Sequence, residues 1–347
     1  MKLSSSWVKT LAEGFIGVLN RISLVLSEKA AAKASRGKVQ CGGSIRATYG
    51  YAASWWVRKP WARALRAYEI GLEGGAARIG QCVVGLSRGG GLFFDRLQLR
   101  PEYAHLWRSA MAAILADLGP GSYSYGWVLN IEPSREADLA ALPAVQVKTV
   151  RPITIQAVEF RRWPTWEQYF KAVSENSKRN AKAALKQMPD LKVRTVRGFD
   201  ALAALPLVAR LRASLSDRKK LSLPIARTRM IAGWTVSLLC SPRYMMVTYA
   251  TDAAKPLYCY YGGEFGEETY YLEGASAPDN RGAAWHVLLG ELKRTYERAP
   301  KGLFIMGYID PATHDDAVGG GLLRSREACR VTNFETAIVD FVYAGRA

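Results

Sequence analysis

Two segments of this chain, about 177 residues apart, share one order of elements, and this repeat constrains the fold more than any other feature. Residues 93–131 contain the strand-like FFDRLQL, a proline, a helical run, a Gly-Pro-Gly break and the strand-like SYSYGWVLNI. Residues 270–309 contain YYLEGASA, a proline, a helical run, a Pro-Lys-Gly break and LFIMGYI. The pattern predicts a duplicated α/β module, although two common strand–helix–strand units can also resemble each other by chance.

Length and composition agree with two folded domains. The 347 residues are 49% apolar, which is enough for a substantial core. The five cysteines are far apart and show neither CxxC pairs nor zinc-ligand spacing, so we expect no disulfide framework and no metal. We predict an N-terminal helix or tether at 1–40, a first domain at 41–160 and a second domain at 161–347.

The N-terminal region shows no secretory or membrane-spanning pattern. Its apolar stretch is interrupted by polar residues, and no run reaches the roughly 18 apolar residues of a membrane span. An apolar stripe at 11–25 indicates a helix that packs on its own domain, with a membrane surface or a partner as the alternative. Residues 55–68 alternate aromatic and basic side chains, which favours an amphipathic helix with buried tryptophans. We expect a cytoplasmic protein, with peripheral membrane contact as the alternative.

Positive charge is concentrated in the middle of the chain. The formal net charge is +18, and residues 161–229 contain 17 Lys and Arg against 5 Asp and Glu, a net charge of +12. Within this window, residues 165–188 predict one long helix or two helices in tandem, ending before Pro189. A face of like charges repels itself unless an anion binds it, so Lys178, Arg179 and Lys182 are candidate anion-binding residues. The alternative is a solvated charged face.

One stretch of this basic region resembles a known superfamily. The sequence YFKAVSENSKRNAKAALKQMPDLKVRTV at 169–196 resembles the tandem-domain branch of the GNAT acyltransferases, with its basic helix followed by a strand. That branch includes Fem-type peptidoglycan aminoacyl transferases and acyltransferases linked to exopolysaccharide synthesis. The resemblance covers roughly 79–341. It implies an α/β (α+β) fold of two tandem GNAT-like domains, each a mixed sheet flanked by helices, joined by a basic helical segment.

The resemblance also implies a donor site in the second repeat. In such a family, the acyl-CoA pyrophosphate lies at a helix N-terminus, where unpaired N–H groups and the helix dipole meet negative oxygens. The first repeat offers Pro101 and Glu102 at the matching place and is expected to be degenerate. The second departs from the family's later glycines at Ala284 and His286. The residues expected to hold the donor are Gly274, Ala275, Asn280, Arg281, Gly282 and Ala283. The alternative is an ordinary helix start, with Asp279 or Asn280 as N-cap and Arg281 in solvent.

Acyl transfer to an amine needs a base, an oxyanion donor and an acid for the leaving group. Glu273 is the first candidate for the base, and Glu264 on the preceding strand is the second. Tyr308 is the candidate acid, with Asp310 beside it orienting substrate or sharing the base role; packing in the sheet is the alternative for Tyr308. We expect the largest cleft to lie between the two units with Glu273 and Tyr308 at its floor.

Two arginines follow the glycine run at 319–321. Arg324 and Arg326 are candidates for clamping an anionic acceptor or a phosphate. The alternative is that the glycines form a simple loop and the arginines its surface.

Three functions therefore stand at this point. The leading hypothesis is an acyl-CoA-dependent N-acyltransferase with acetyl-CoA or another acyl-CoA as co-substrate and an amine, amino sugar or glycan precursor as acceptor. The second is a Fem-type transferase of cell-wall synthesis that uses aminoacyl-tRNA, whose phosphates the basic window would bind. The third is a non-catalytic protein that binds nucleic acid or a membrane surface. The sequence does not determine the acceptor or the oligomeric state.

Overall fold

The computed structural model describes residues 62–72, 78–87, 92–219, 224–280, 282–309 and 317–345. The predicted N-terminal helix at 11–25 lies outside these residues, as do Arg281 and Asp310. The first half of the described chain contains five strands and two α-helices. Its elements are β1 (Ala62–Gly71), β2 (Arg78–Ser87), β3 (Leu92–Leu99), a 3-10 turn (Pro101–Leu106), α1 (Trp107–Leu118), β4 (Gly121–Tyr125), α2 (Glu136–Ala140) and β5 (Val145–Glu159).

The second half begins with helices and ends with a strand. Its elements are α3 (Trp166–Ala172), α4 (Glu175–Gln187), β6 (Lys192–Arg197), α5 (Asp200–Lys219), α6 (Pro224–Cys240), β7 (Met245–Asp252), β8 (Lys255–Phe265), β9 (Glu268–Ser276), α7 (Ala283–Arg298), β10 (Leu303–Ile309), α8 (Ala317–Ala328) and β11 (Thr332–Tyr343).

All described strands belong to one sheet whose order reads nearly the same from either end. The order is β1-β2-β3-β4-β11-β5-β10-β9-β8-β7-β6. Counted outward from the centre, β11 matches β5, β4 matches β10, β3 matches β9, β2 matches β8 and β1 matches β7. Each half also has one parallel pair joined by a helix, β3 with β4 and β9 with β10. The duplicated module and the mixed α/β fold class are therefore confirmed.

The halves exchange their last strands at the centre of the sheet. Strand β11 leaves the second half and inserts between β4 and β5 of the first. Strand β5, in turn, pairs with β10 of the second half. The predicted boundary at residue 160 thus falls at the end of β5, directly after a strand that both halves share.

Three apolar cores flank the sheet. The first half buries Phe94, Trp107 and Met111 with their neighbours. In the second half, one face of the sheet packs against α5 and α6, and the other packs against α3, α4 and α7. Alternation along the strands produces this division, since Cys259 and Tyr261 face one core while Tyr258 and Tyr260 face the other.

Several local predictions differ from the structure. The residues of the predicted helix 55–68 that are described, from Ala62 onward, form strand β1. The strand predicted to reach Ile131 ends at Tyr125, because Gly126 and Leu129 have φ values of +91° and +73° that turn the chain. The basic segment 165–188 forms two helices, broken at Val173 where the backbone is extended.

The glycine run at 319–321 also differs from its prediction. It lies inside helix α8 and does not form a loop.

Candidate active site

The site is the gap where β9 and β10 diverge. These parallel strands pair only over Glu268–Tyr270 and Leu303–Ile305; beyond this, β9 continues along β8, and β10 continues along β5. The separation leaves a cavity of about 400 Å³. Residues 271–274 and 306–309 form its walls, with Leu129 from the first half, Arg212 from α5 and part of α8 completing it. Glu273 and Tyr308, the predicted base and acid, both line this cavity.

A β-bulge in β9 sets the direction of Glu273. Tyr261 of β8 lies opposite Glu273, and Gly262 lies opposite Tyr271, so Leu272 is the extra residue. The extra residue turns Glu273 to the face covered by α5, and there its carboxylate forms an ion pair of 2.8 Å with Arg212. The base candidate is thus held by a guanidinium at the edge of the gap.

Tyr271 lines the same cavity from the other face of the sheet. Its hydroxyl lies 3.0 Å from that of Tyr258, and burial raises the pKa of Tyr271 to about 12. The phenol therefore stays protonated at neutral pH and can donate a hydrogen bond. A β-carbon at Gly274 would meet the Tyr271 hydroxyl, so a larger residue there would require Tyr271 to move. Ala275, also predicted for the site, is buried outside the cavity wall.

Arg326 projects from α8 into the cavity wall and is only 6% exposed. Its Nη1 donates to the carbonyl oxygen of Tyr308 at 2.9 Å and to Oε1 of Gln156 at 3.3 Å. Its Nε is buried with no hydrogen-bond partner among the described residues. Burial lowers the pKa of this guanidinium, against the opposing influence of Tyr271 and Tyr308. Arg324, by contrast, is exposed two residues earlier on the same helix.

Glu264, the second base candidate, does not line the cavity. Its buried carboxylate forms ion pairs with Arg197 at 2.6 Å, with Arg294, and with Arg298 at 3.8 Å. Burial alone would raise the pKa of Glu264, but the arginines outweigh it and lower the pKa below 4.5. The residue belongs to an ionic cluster at the far end of β8, away from the gap.

The predicted pyrophosphate position at the start of α7 is capped by the chain itself. The side-chain oxygen of Asn280 accepts from the Gly282 N–H at 3.2 Å, and its carbonyl accepts from the Ala283 N–H at 2.7 Å. Gly282 has φ +88°, and a β-carbon there would lie 2.3 Å from the carbonyl oxygen of Asn180 in α4. Two of the amides expected to bind phosphate are therefore already engaged within the protein.

The basic residues of α4 divide into two kinds. Lys178 donates to the carbonyl oxygens of Phe170 and Lys171, at 3.2 and 3.1 Å, and pairs with Glu175, so it caps the end of α3. Arg179 and Lys182 are exposed. The anion-binding role stays a prediction for the two exposed residues, while Lys178 is engaged within the protein.

The matching gap in the first half is filled by a side chain. There the Tyr125 hydroxyl accepts from the backbone N–H of Leu97 at 3.1 Å and donates to Glu132 at 2.8 Å. By strand register, Leu97 corresponds to Glu273 and Tyr125 to Ile305. The phenol thus occupies the space that remains open between β9 and β10.

Sequence reasoning missed Tyr271, Arg212 and Gly307 as parts of the site. Tyr271 had a usable signal, since it stands two residues from Glu273 in a strand predicted to enter the site. Arg212 had none, because its pairing with Glu273 depends on how α5 packs across the sheet. Gly307 is visible as a glycine within a strand, a position that often marks a bulge or a close approach.

Together, the exchanged strands and the open gap define a tandem GNAT-like α/β fold. The crystal structure of FemX is similar with a TM-score of 0.62 and 11% identity, covering 86% of this chain and 92% of that one. A conserved protein of unknown function from Bacteroides thetaiotaomicron VPI-5482 has a TM-score of 0.54 and 10% identity, with 86% and 90% covered. The C-terminal domain of a putative lysylphosphatidylglycerol synthetase from Agrobacterium fabrum has a TM-score of 0.50 and 9% identity, with 96% and 92% covered.

These similarities show the fold alone. No protein-family model matches the sequence, and a search of curated proteins finds no match. Of the helices in the described part of the chain, none has the length and hydropathy of a membrane-spanning segment. Among the same residues, no group of three or more His, Cys, Asp and Glu side chains could hold a metal ion.

Proposed function

We propose that this chain is an N-acyltransferase and that an acyl group passes to an amine in the cavity between β9 and β10. The observation that carries the proposal is the convergence of a carboxylate, Glu273, and a neutral phenol, Tyr271, on one gap between diverging parallel strands. The similarity to FemX supports the fold this reaction needs. Tyr125 fills the corresponding gap in the first half, so the proposed chemistry belongs to the second half, and the first contributes Leu129 to the wall.

Each cavity residue has a role in this proposal. Glu273 takes a proton from the acceptor ammonium, directly or through a water, and the free amine attacks the acyl carbonyl carbon. The Tyr271 hydroxyl and the backbone N–H groups on the open edge of β9, around Gly274, stabilise the oxyanion. Tyr308, which is 37% exposed, gives its proton to the leaving group as the carbon–leaving group bond breaks, and the second proton lost by the attacking nitrogen restores the phenol. Asp310 follows Tyr308 in sequence and keeps its proposed role in orienting the substrate.

Two donors fit the proposal, and they differ in the surface that they need. An acyl-CoA is the first candidate, with Arg281 and the start of α7 as its pyrophosphate site. The capping of α7 by Asn280 favours the second candidate, aminoacyl-tRNA, because it leaves fewer amides for a pyrophosphate. The exposed basic residues of α4 and β6 offer a surface for tRNA phosphates: Arg179, Lys182, Lys186, Lys192 and Arg194.

Titration calorimetry with coenzyme A, and with tRNA at two salt concentrations, separates the two donors. Micromolar coenzyme A binding that Arg281→Glu abolishes supports the first donor. Absence of that binding, together with tRNA binding that weakens steeply as salt rises, supports the second. If neither binds, the transferase proposal gives way to a non-catalytic role.

The base role has its own test in turnover. Glu273→Gln is expected to lower turnover while donor binding stays nearly intact, because the amide cannot accept the ammonium proton. Glu267→Gln is the matched control, since Glu267 is exposed in the turn before β9. Equal turnover for both variants and the wild type removes Glu273 from the base role.

A further inference from the structure

The Arg326 side chain lines the cavity, and its guanidinium is only partly hydrogen-bonded within the described residues. Guanidinium carries five N–H donors in a fixed planar fork. Nη1 donates to Tyr308 and Gln156, whereas the buried Nε has no hydrogen-bond partner within the described part of the chain. Within that part, no carboxylate oxygen lies within the 4.0 Å of an ion pair with Arg326. A guanidinium can bind a carboxylate through two parallel hydrogen bonds.

The backbone of β10 is shaped to admit this guanidinium. Gly307 has φ +125°, and a β-carbon there would lie 2.3 Å from Nη2 of Arg326. A register shift in the pairing of β10 with β5 occurs at the same place, between Ile305 and Gly307. The missing side chain at Gly307 therefore leaves room for the guanidinium beside β10.

The charges lining the cavity leave one positive charge uncompensated. Arg212 and Glu273 neutralise each other across 2.8 Å, and Tyr271 is protonated. Arg326 remains as a nearly buried cation, and burying a charge without a counter-ion is costly. One carboxylate group beside Arg326 compensates this charge locally. A phosphate, with close to two charges at neutral pH, would leave an unbalanced negative charge beside Glu273.

We propose that Arg326 binds a carboxylate of the acyl acceptor, so that the substrate is an amino-acid-like amine. This inference rests on the proposed N-acyl transfer in the same cavity. The carboxylate holds the acceptor by its anionic end at the Arg326 guanidinium, and the amine extends through the same cavity toward Glu273. The protein should therefore bind an amino acid more tightly than its carboxamide, because the amide has one acceptor oxygen and no negative charge.

Ligand-observed NMR and calorimetry with the full chain test the proposal. The probes are glycine, β-alanine, L-alanine and L-glutamate at millimolar concentration, each beside its α-carboxamide or, for β-alanine, its carboxamide. The wild type is expected to bind at least one of the acids about tenfold or more tightly than its amide. Arg326→Gln is expected to bind acid and amide equally. Arg243→Gln is the matched control, an exposed arginine in the turn before β7.

Arg326→Lys is a second variant that tests the proposal even if Arg326→Gln does not fold. It keeps the charge but loses the fork, and is expected to prefer the acid by less than the wild type does. Equal binding of acid and amide to the wild type overturns the proposal, as does absence of acid binding or discrimination that survives in Arg326→Gln.

The donor could carry the carboxylate instead, and a second arm decides this. Turnover with succinyl-CoA and acetyl-CoA is compared in the wild type and in Arg326→Gln. A preference for succinyl-CoA that the variant loses, with no discrimination among acceptors, overturns the acceptor assignment. The underlying function fails separately: acid binding that depends on Arg326 without any acyl transfer keeps the carboxylate site and refutes the transferase. Acyl transfer to acid and amide acceptors at equal rates supports the transferase and refutes the carboxylate site.

Discussion

The ionic cluster around Glu264 gives the sharpest stability prediction. Glu264→Gln removes the carboxylate that Arg197, Arg294 and Arg298 share and leaves their charges facing one another. Removing one partner of a fully buried ion pair costs about 3–5 kcal/mol. Here Glu264 is 7% exposed but its partners are 29–43% exposed, so solvent screens part of the effect. We expect a loss of about 2 kcal/mol in the free energy of unfolding.

Urea unfolding measures this loss, with Glu267→Gln as the exposed control. The pH dependence gives an independent reading. The folded-state pKa of Glu264 lies below 4.5, so its contribution is complete above that pH and disappears as the pH falls through the lower folded value. The wild type should therefore lose more stability than Glu264→Gln on acidification below 4.5. A loss under about 0.5 kcal/mol at neutral pH refutes the reasoning. Lost turnover with unchanged stability would instead return Glu264 to the role of base.

Three further changes have definite expected outcomes. Gly282→Ala should lower the free energy of unfolding in urea by more than about 1 kcal/mol, because φ is +88° and the new β-carbon meets the Asn180 carbonyl; an unchanged midpoint contradicts the described start of α7. Gly290→Ala lies in the middle of α7, where the new β-carbon has open space around it. This change should raise the free energy of unfolding by about 0.5–1 kcal/mol. Tyr271→Phe should lower turnover about 100-fold through loss of an oxyanion donor. Since the pKa of Tyr271 is about 12, a rate step below pH 9 that disappears in this variant would argue against the neutral phenol.

Local patterns were enough to predict the repeated module and the position of Glu273 and Tyr308. The prolines after β3 and β9, and the glycine breaks after the following helices, mark the same turns in both halves. Parallel strands joined by a helix lie side by side and run in the same direction. The residues near the C-terminal ends of β9 and β10 are therefore expected to be close. What could be predicted was therefore the part of the site determined by short-range order.

The remaining features depend on contacts between distant parts of the chain. The bulge at Leu272 determines on which face of the sheet the Glu273 side chain lies, and no residue near Leu272 in the sequence predicts the bulge. Likewise, the ion pair with Arg212 and the burial of Arg326 depend on how α5 and α8 dock on the sheet. Glu264 was a candidate base because a carboxylate on a strand beside the site can accept a proton. In the structure it forms ion pairs with three arginines that are distant in the sequence.

The central position of β11 has a consequence for how the molecule is made. This strand is translated after every other described strand, yet it pairs with β5 along residues 332–343 and also with β4. During synthesis, β4 and β5 must wait with unpaired edges until β11 emerges from the ribosome. Such edges invite pairing with other chains, so the nascent first half should depend on chaperones more than its own core would suggest. Ribosome-bound chains stalled before residue 332 should accordingly be sensitive to protease within β5, and the released chain should resist it.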